Sequence, residues 1–299
     1  MKEMIFLGAG ASVEAGVPVA SAMTLQLDGY LADWDELYTN DPKRRLTRLS
    51  RFVSKTLAKS ATNLQKSVDV EQFFTAIRAL SERKGSELGA FVTAWRPLVG
   101  QIEIDVPSNN GSNPYKEMLN SILLILIDMV WIKEPTVEKP SRLGYLKPLI
   151  DLYRNQGDLV IASLNYDNAI ESLAKENGVP CATGLSTWSA TGDIPSPSKD
   201  ILLLKLHGSV DWGFRWNDAQ DTDHPMRDQD FKQVTTAGEF RKGYEPMMIF
   251  GKGNKLTAQG PFLDLLKAFE RELNASDRLT VAGYSFRDDH INEYISIDV

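Results

Sequence analysis

The sequence predicts an α/β fold: a doubly wound, Rossmann-like parallel sheet with a large helical insertion after its first strand. In the second half of the chain, apolar strands alternate with helices, which is typical of a parallel sheet covered on both faces. At the start, a short apolar strand runs into a glycine-rich loop, and the helical pattern of residues 19–140 interrupts the alternation. We therefore expect one domain over residues 1–299, with 19–140 as an insertion and 141–299 as the remainder of the core.

The first half contains one strand and several helical segments. Residues 3–7 read EMIFL, a buried strand, and the loop GAGASVEAGVP follows it at 8–18. The pattern from 19 to 60 is helical, most clearly in KRRLTRLSRFVSKTLAK, where apolar and basic residues occupy separate faces. Two further helices are expected near 70–84 and 115–133.

The second half supplies four more strand-like segments. Helices are expected at 168–178, where Gly178 is a stop signal, at 261–273, and from about residue 289. The strand-like segments are DLVIASLNYD (158–167), ILLLKLHGSVDW (201–212), MMIFGKG (247–253) and RLTVAGYS (278–285).

Composition narrows the class of protein. The chain has 299 residues and a net charge of −7, so no global basic surface indicates nucleic-acid binding. Its single cysteine, Cys181, excludes an intrachain disulfide. The longest apolar run, 122–127, is too short to span a bilayer, and no leader pattern is recognised. We expect a cytoplasmic protein that does not contact a membrane.

Polar residues follow four of the strand-like segments. The strand ends read GAGAS, SLNYD, KLHGS and AGYSF. Ligands of open α/β sheets bind at the carboxyl ends of the strands. The sequence therefore predicts that these four ends converge on one cleft.

The glycine loop has two readings. Gly8 and Gly10 would let a phosphate or a ribose approach the main chain, and a following helix would offer free N–H groups. However, Val13 stands where a dinucleotide fingerprint has its third glycine, Asp28 lies in a helical context, and the P-loop lysine is missing. The alternative is a tight strand–helix turn that binds no ligand.

His207 is a candidate general base, because it follows an apolar strand and histidine titrates near neutral pH. The alternative is a hydrogen-bonded core histidine. His224, in an acidic loop, and His290 are weaker candidates.

Asn165 and Asp167 lie two residues apart in SLNYD, a spacing that points both side chains to one side of a strand. The amide suits a ribose hydroxyl or a water, and the carboxylate suits ribose hydroxyls. The alternative is a turn in which Asp167 or Asn168 caps the next helix.

Two other features favour ordinary roles. The basic helix 43–55 is read as a solvated face, with a partner or nucleic-acid contact as the alternative. One cysteine and three scattered histidines do not suit a tetrahedral zinc site, so no zinc is expected.

In this order, GAGASVEAGVP, SLNYD, LHGS and AGYSF resemble the motifs of the sirtuin family: its GAGxSxxxGIP loop, TQNxD strand end, histidine motif and GTSL segment. GYSFRDDHIN (283–292) resembles the divergent sirtuin-like domains of prokaryotic antiphage defence systems, which degrade NAD. Val19, Ala20 and Ser21 replace the deacetylase Asp-Phe-Arg after Pro18. The zinc cysteines are also absent. These departures argue against protein-lysine deacylation.

The resemblance implies a role for each matched residue at the reacting end. Asn165 would position the nicotinamide ribose and an attacking water, His207 would be the general base, and Asp167 would support the site.

It also implies where the rest of the nucleotide lies. Ala9, Gly10 and Ser12 would contact phosphates and ribose, and Gly283 and Ser285 would bind the adenosine end.

The resemblance implies an NAD+ glycohydrolase that cleaves NAD+ to nicotinamide and ADP-ribose and depletes NAD in an abortive-infection response. NAD+ is then a substrate. Activity would depend on a homo-oligomer or on a partner such as a HerA-like translocase ATPase or an Argonaute-like protein. The alternatives are an NAD-dependent deacylase or ADP-ribosyltransferase, and a non-catalytic module that binds NAD or ADP-ribose.

Overall fold

The computed structural model describes residues 2–37, 44–60, 68–82, 102, 113–216, 229–235, 237–242, 244–249 and 260–297. Its strands are β1 (Glu3–Leu7), β2 (Leu159–Ser163), β3 (Cys181–Ala182), β4 (Ile201–Lys205), β5 (Gly208–Trp216), β6 (Gln229–Gln233), β7 (Glu245–Met248) and β8 (Arg278–Ala282).

The described α-helices lie between these strands and after the last of them. They are α1 (Ala20–Leu37), α2 (Arg45–Ser60), α3 (Val70–Glu82), α4 (Pro114–Val130), α5 (Lys147–Gln156), α6 (Ala169–Glu176), α7 (Leu185–Thr191), α8 (Phe262–Asn274) and α9 (Asp289–Ile297). Short 3₁₀ helices occupy Ala9–Ser12, Leu143–Leu146 and Ala237–Lys242.

Two compact units make up the chain. The first is formed by Met1–Val17, Val130–Ile249 and Asn254–Val299, and the second mainly by Pro18–Met129. The first unit contains all the described strands, and the second contains α1, α2, α3 and nearly all of α4.

A five-stranded sheet with the order β3-β4-β2-β1-β8 organises the first unit. All four pairings in this sheet are parallel. Alternate residues of its central strands enter two separate cores. Met4 and Phe6 of β1 pack in one core with α8, while Ile5 and Leu7 pack in the other with α5 and α6. Both faces are therefore covered by helices, and the predicted doubly wound, Rossmann-like fold class is confirmed.

A second sheet differs from the sequence expectation. MMIFGKG was expected to be another strand of the parallel series, but β7 pairs antiparallel with β5 in a three-stranded sheet of order β6-β5-β7. Only Met247 of β7 is buried, whereas every residue of β2 and β4 is buried, as expected for central strands of a sheet that is covered on both faces. The segment ILLLKLHGSVDW is likewise two strands, β4 and β5, separated by a turn at residues 206–207.

The second unit is helical. The predicted apolar face of α2 is buried at Leu46, Leu49 and Val53. The buried carboxylate of Asp35 accepts hydrogen bonds from the N–H groups of Leu46 and Thr47, at 3.3 and 2.9 Å, and so caps the start of α2. No helix in the described part of the chain is long and apolar enough to cross a membrane.

Candidate functional site

The four polar strand ends lie side by side. In the parallel sheet β4, β2, β1 and β8 are consecutive neighbours, so their carboxyl ends meet at one edge. The segments after them bond directly to one another. The N–H of Leu164 donates to the carbonyl of Leu7 at 3.0 Å, and the N–H of Leu206 donates to that of Ser163 at 3.0 Å. The sequence-predicted residues after these strands are thus brought to one region.

The glycines hold the loop after β1 against the end of β8. The N–H of Gly8 donates to the carbonyl of Ala282, and that of Gly10 to the carbonyl of Gly283, both at 2.9 Å. A Cβ on Gly8 would lie 2.5 Å from Tyr284 Cα, and one on Gly283 would lie 2.1 Å from the nitrogen of Ala11. Gly283 also has a φ of +67°. These contacts require glycine whether or not a phosphate approaches the loop.

The loop after Gly8 runs as far as the helix that was expected from about residue 19. Residues Ala9–Ser12 form one 3₁₀ turn, and α1 begins only at Ala20. Ala9 and Gly10 are exposed, whereas Ser12 is buried. The hydroxyl of Tyr145 donates to the carbonyl of Ala11 at 2.6 Å. This contact was not anticipated from the sequence, and it ties the turn to the 3₁₀ helix Leu143–Leu146.

Asn165 connects the ends of β1 and β2. Its Nδ2 donates to the carbonyl of Gly8 and to Oγ of Ser12, both at 2.9 Å. Because a carbonyl only accepts, the contact with Gly8 settles which amide atom is the nitrogen. The remaining atom, Oδ1, is buried and has no hydrogen-bond partner in the described part of the chain. An unsatisfied buried acceptor is costly, so this oxygen suits a donor brought by a ligand or a water.

The side chain of Asp167 forms a local hydrogen bond with the backbone. Strand β2 ends at Ser163, so Asn165 and Asp167 lie in a loop rather than on one face of a strand. The carboxylate of Asp167 accepts from the N–H of Ala169 at 3.0 Å, at the first turn of α6. The observed contact therefore agrees with the alternative prediction from the sequence, a turn in which Asp167 caps the next helix.

Lys205 is a buried residue that the sequence reasoning missed. Its ammonium group donates to the backbone carbonyl of Asp167 and lies 3.8 Å from Oε1 of Glu171. Lys205 is 2% exposed and Glu171 is 14% exposed, and burial raises the pKa of Glu171 to about 8 although Lys205 opposes the shift. The lysine within the apolar run LLLKL could have indicated a buried polar contact, because a lysine is rarely buried unless a partner compensates its charge.

His207 lies at the turn between β4 and β5 and is 4% exposed. Its backbone carbonyl accepts from the N–H of Ile249 at 2.9 Å. Its ring centroid lies 6.4 Å from that of Tyr166 and 5.9 Å from that of His290, with the two imidazole planes 25° apart. His290 was only a weaker candidate in the sequence, whereas the structure places it against His207. His224 lies outside the described residues.

The end of β8 completes the edge. Gly283 contacts the glycine loop, and Ser285 is exposed beside it. The next residue, Phe286, has a φ of 54°, and its carbonyl accepts from Nδ2 of Asn292 at 3.0 Å. The hydroxyl of Tyr284 donates to Oδ1 of Asn292 at 2.8 Å. This segment is thus tied to α9 by side-chain hydrogen bonds.

The geometry agrees with a comparison to protein families. Residues 159–297 match the family model described as a SIR2-like domain. The matched range includes Asn165, His207 and Gly283, while the glycine loop precedes it. The sirtuin-like character expected from the motifs is therefore confirmed for this part of the chain. No curated protein matches the sequence at a significant level.

Proposed function

We propose that this chain, which carries a sirtuin-like domain over residues 159–297, is an NAD+ glycohydrolase that releases nicotinamide and ADP-ribose. The family match supports an NAD-dependent enzyme. Two features of the sequence favour hydrolysis over deacylation: the residues after Pro18 differ from the deacetylase pattern, and the zinc cysteines are absent.

The buried Oδ1 of Asn165 is the observation that carries the proposal. It is an acceptor in need of a donor, placed beside the glycine loop by two hydrogen bonds from Nδ2. A ribose hydroxyl or a water molecule has the donor that this oxygen lacks. We assign Asn165 to holding the nicotinamide ribose and the attacking water.

The loops on either side are assigned to the remainder of the nucleotide. Ala9, Gly10 and Ser12 would lie along the phosphates and the adjoining ribose, with Gly8 supporting the turn. The exposed backbone at Ala9 and Gly10 supports this assignment. Asp167 would support the site through its loop, as its bond to Ala169 indicates.

At the end of β8, Gly283 and Ser285 are assigned to the adenosine end of NAD+. Ser285 is exposed there, and Gly283 joins the segment to the glycine loop.

The reaction needs few groups from the protein. The bond between nicotinamide nitrogen and ribose C1′ breaks, and the electron pair goes to the pyridinium, so nicotinamide leaves neutral without a general acid. The ribose becomes oxocarbenium-like, as in glycoside hydrolysis. Water forms the new C1′–O bond, and His207 accepts its proton. The product is ADP-ribose.

We further propose that the activity depletes NAD in an abortive-infection response to phage. The support is the resemblance of GYSFRDDHIN to domains of antiphage systems. Because uncontrolled NAD loss would kill the host, we propose control by a homo-oligomer or by a partner such as a HerA-like translocase ATPase or an Argonaute-like protein.

A single incubation separates the proposed activity from the transferase and deacylase alternatives. The full chain is mixed with NAD+ and an acetyl-lysine peptide, and the products are followed by chromatography and mass spectrometry. We expect equal amounts of nicotinamide and ADP-ribose, with the peptide mass unchanged. Loss of the acetyl group or addition of ADP-ribose to the peptide would replace the proposal with one of those alternatives.

A further inference from the structure

A second imidazole, on α9, lies against His207. The ring centroids of His290 and His207 are 5.9 Å apart and the planes are inclined by 25°, which is a stacked arrangement. His290 is half-buried in the first turn of α9, and His207 lies in the turn between β4 and β5. Residues remote in sequence thus form a ring pair at the edge of the sheet where the site is proposed.

The backbone around His290 is anchored on both sides. Ile291 is 0% exposed and packs in the core shared by β1 and α8. Asn292 bonds to the hydroxyl of Tyr284 and to the carbonyl of Phe286, at 2.8 and 3.0 Å. These contacts fix the first turn of α9, so the direction in which the His290 side chain leaves the helix is fixed as well.

The stack restricts how His207 presents its nitrogens. A second ring this close limits the rotation of the imidazole about its Cβ–Cγ bond, and because His207 is 4% exposed, other groups surround the rest of the ring. The backbone of His207 is held independently by the bond from the N–H of Ile249. With the main chain held and the ring rotation limited, a general base would need little reorganisation before it accepts a proton.

We propose that His290 is a positioning residue, which holds the imidazole of His207 in the orientation needed to take a proton from the attacking water. This inference rests on the proposed NAD+ hydrolysis. His290 acts through His207, so its removal affects the chemical step rather than nucleotide binding.

Two substitutions distinguish the effect of the ring shape of His290 from the effect of its titratable nitrogens. His290→Ala removes the stack, and His290→Phe keeps a planar ring of similar area but cannot accept or donate a proton. Steady-state NAD+ cleavage by the full chain is expected to show kcat reduced roughly tenfold in the alanine variant, with KM within about twofold of wild type. The phenylalanine variant is expected to regain most of kcat.

A spectroscopic readout checks the stack without catalysis. The chain has three histidines, so the imidazole resonances in a proton NMR spectrum are assignable from single substitutions. We expect the His207 resonance to move in His290→Ala and to move much less in His290→Phe, because a neighbouring ring shifts it.

The outcomes distinguish this inference from the proposed function. Wild-type kcat in His290→Ala, or an equal loss in both variants, would overturn the positioning role while leaving NAD+ hydrolysis intact. A rise in KM alone would also overturn it, since that would place His290 in binding. An assembled wild-type protein that leaves NAD+ whole would overturn the proposed function, and the inference with it.

Discussion

At the scale of single residues, several polar side chains of the site form hydrogen bonds with the backbone. Asp167 and Lys205 direct their side chains to main-chain groups of the loop after β2. Asn165 uses its nitrogen in the same way, but its buried oxygen has no partner among the described residues. The side chain is therefore both a structural link and the candidate binding group.

Replacing Asn165 tests that double role. We expect Asn165→Ala to reduce NAD+ cleavage by about 100-fold or more, because the acceptor for the ribose or water is lost. Asn177→Ala is the matched control, since the Nδ2 of Asn177 also donates to a backbone carbonyl, that of Leu173 at 2.8 Å, but at the far end of α6, and a rate within about twofold of wild type is expected. The measurement is the initial rate of nicotinamide release. Equal rates in wild type and Asn165→Ala would remove this residue from the mechanism.

Gly283 offers a second test at this scale. Gly283→Ala is expected to lower the free energy of unfolding by about 3 kcal/mol or more, because its Cβ would overlap the nitrogen of Ala11. Gly178→Ala is the control: its φ of +64° is similar, but a Cβ there meets nothing within 4 Å, so about 1 kcal/mol is expected. Denaturant unfolding measures both, and similar losses would mean that the loop contact contributes little.

At the scale of elements, the sequence predicted the strand ends that form the site, because the pattern of an apolar strand followed by polar residues recurs along the chain. Polar ends on apolar strands identified β1, β2, β4 and β8, and these are the four consecutive strands of the sheet. Contacts between elements that are distant in the chain could not be predicted from the sequence. Nothing local indicates that His290 packs on His207, or that Tyr145 bonds to Ala11. The pairing of β7 with β5 was likewise missed, because a short apolar run has no periodicity that separates parallel from antiparallel pairing.

The contact between Glu171 of α6 and Lys205 of β4 predicts that the stability of the protein depends on pH. The pKa of Glu171 is raised to about 8 by burial, so its proton is held more tightly in the folded chain than in the unfolded one. Its contribution is therefore fully present below the unfolded value, near 4.5, and is lost as pH rises toward about 8. In Glu171→Gln this loss is absent. Across pH 5–8 we expect the unfolding free energy of the variant to fall less than that of wild type, by about 1 kcal/mol or more.

Thermal or denaturant unfolding at several pH values provides the comparison. Glu134→Gln is a matched control, because Glu134 is an exposed carboxylate that pairs with Lys175, and its pKa is lowered. Parallel stability curves for wild type and Glu171→Gln would show that burial does not hold the proton on Glu171.

At the scale of the whole molecule, the site residues described here all belong to the unit with the sheet, whereas the helical unit is built mainly from residues 18–129. The sequence predicted a helical insertion over residues 19–140, because the strand pattern stops after the first strand and resumes only in the second half of the chain. The basic face of α2 belongs to that helical unit. We propose that residues 1–299 form a single sirtuin-like domain.

We propose that the chain hydrolyses NAD+ with Asn165 and His207. The most direct measurement is NAD+ consumption by the purified full chain, alone and with the product of the neighbouring gene, compared with Asn165→Ala and His207→Ala. We expect equal amounts of nicotinamide and ADP-ribose from the wild type in its active assembly, and almost none from either variant. NAD+ that stays intact in every assembly, or variants that match the wild type, would contradict it.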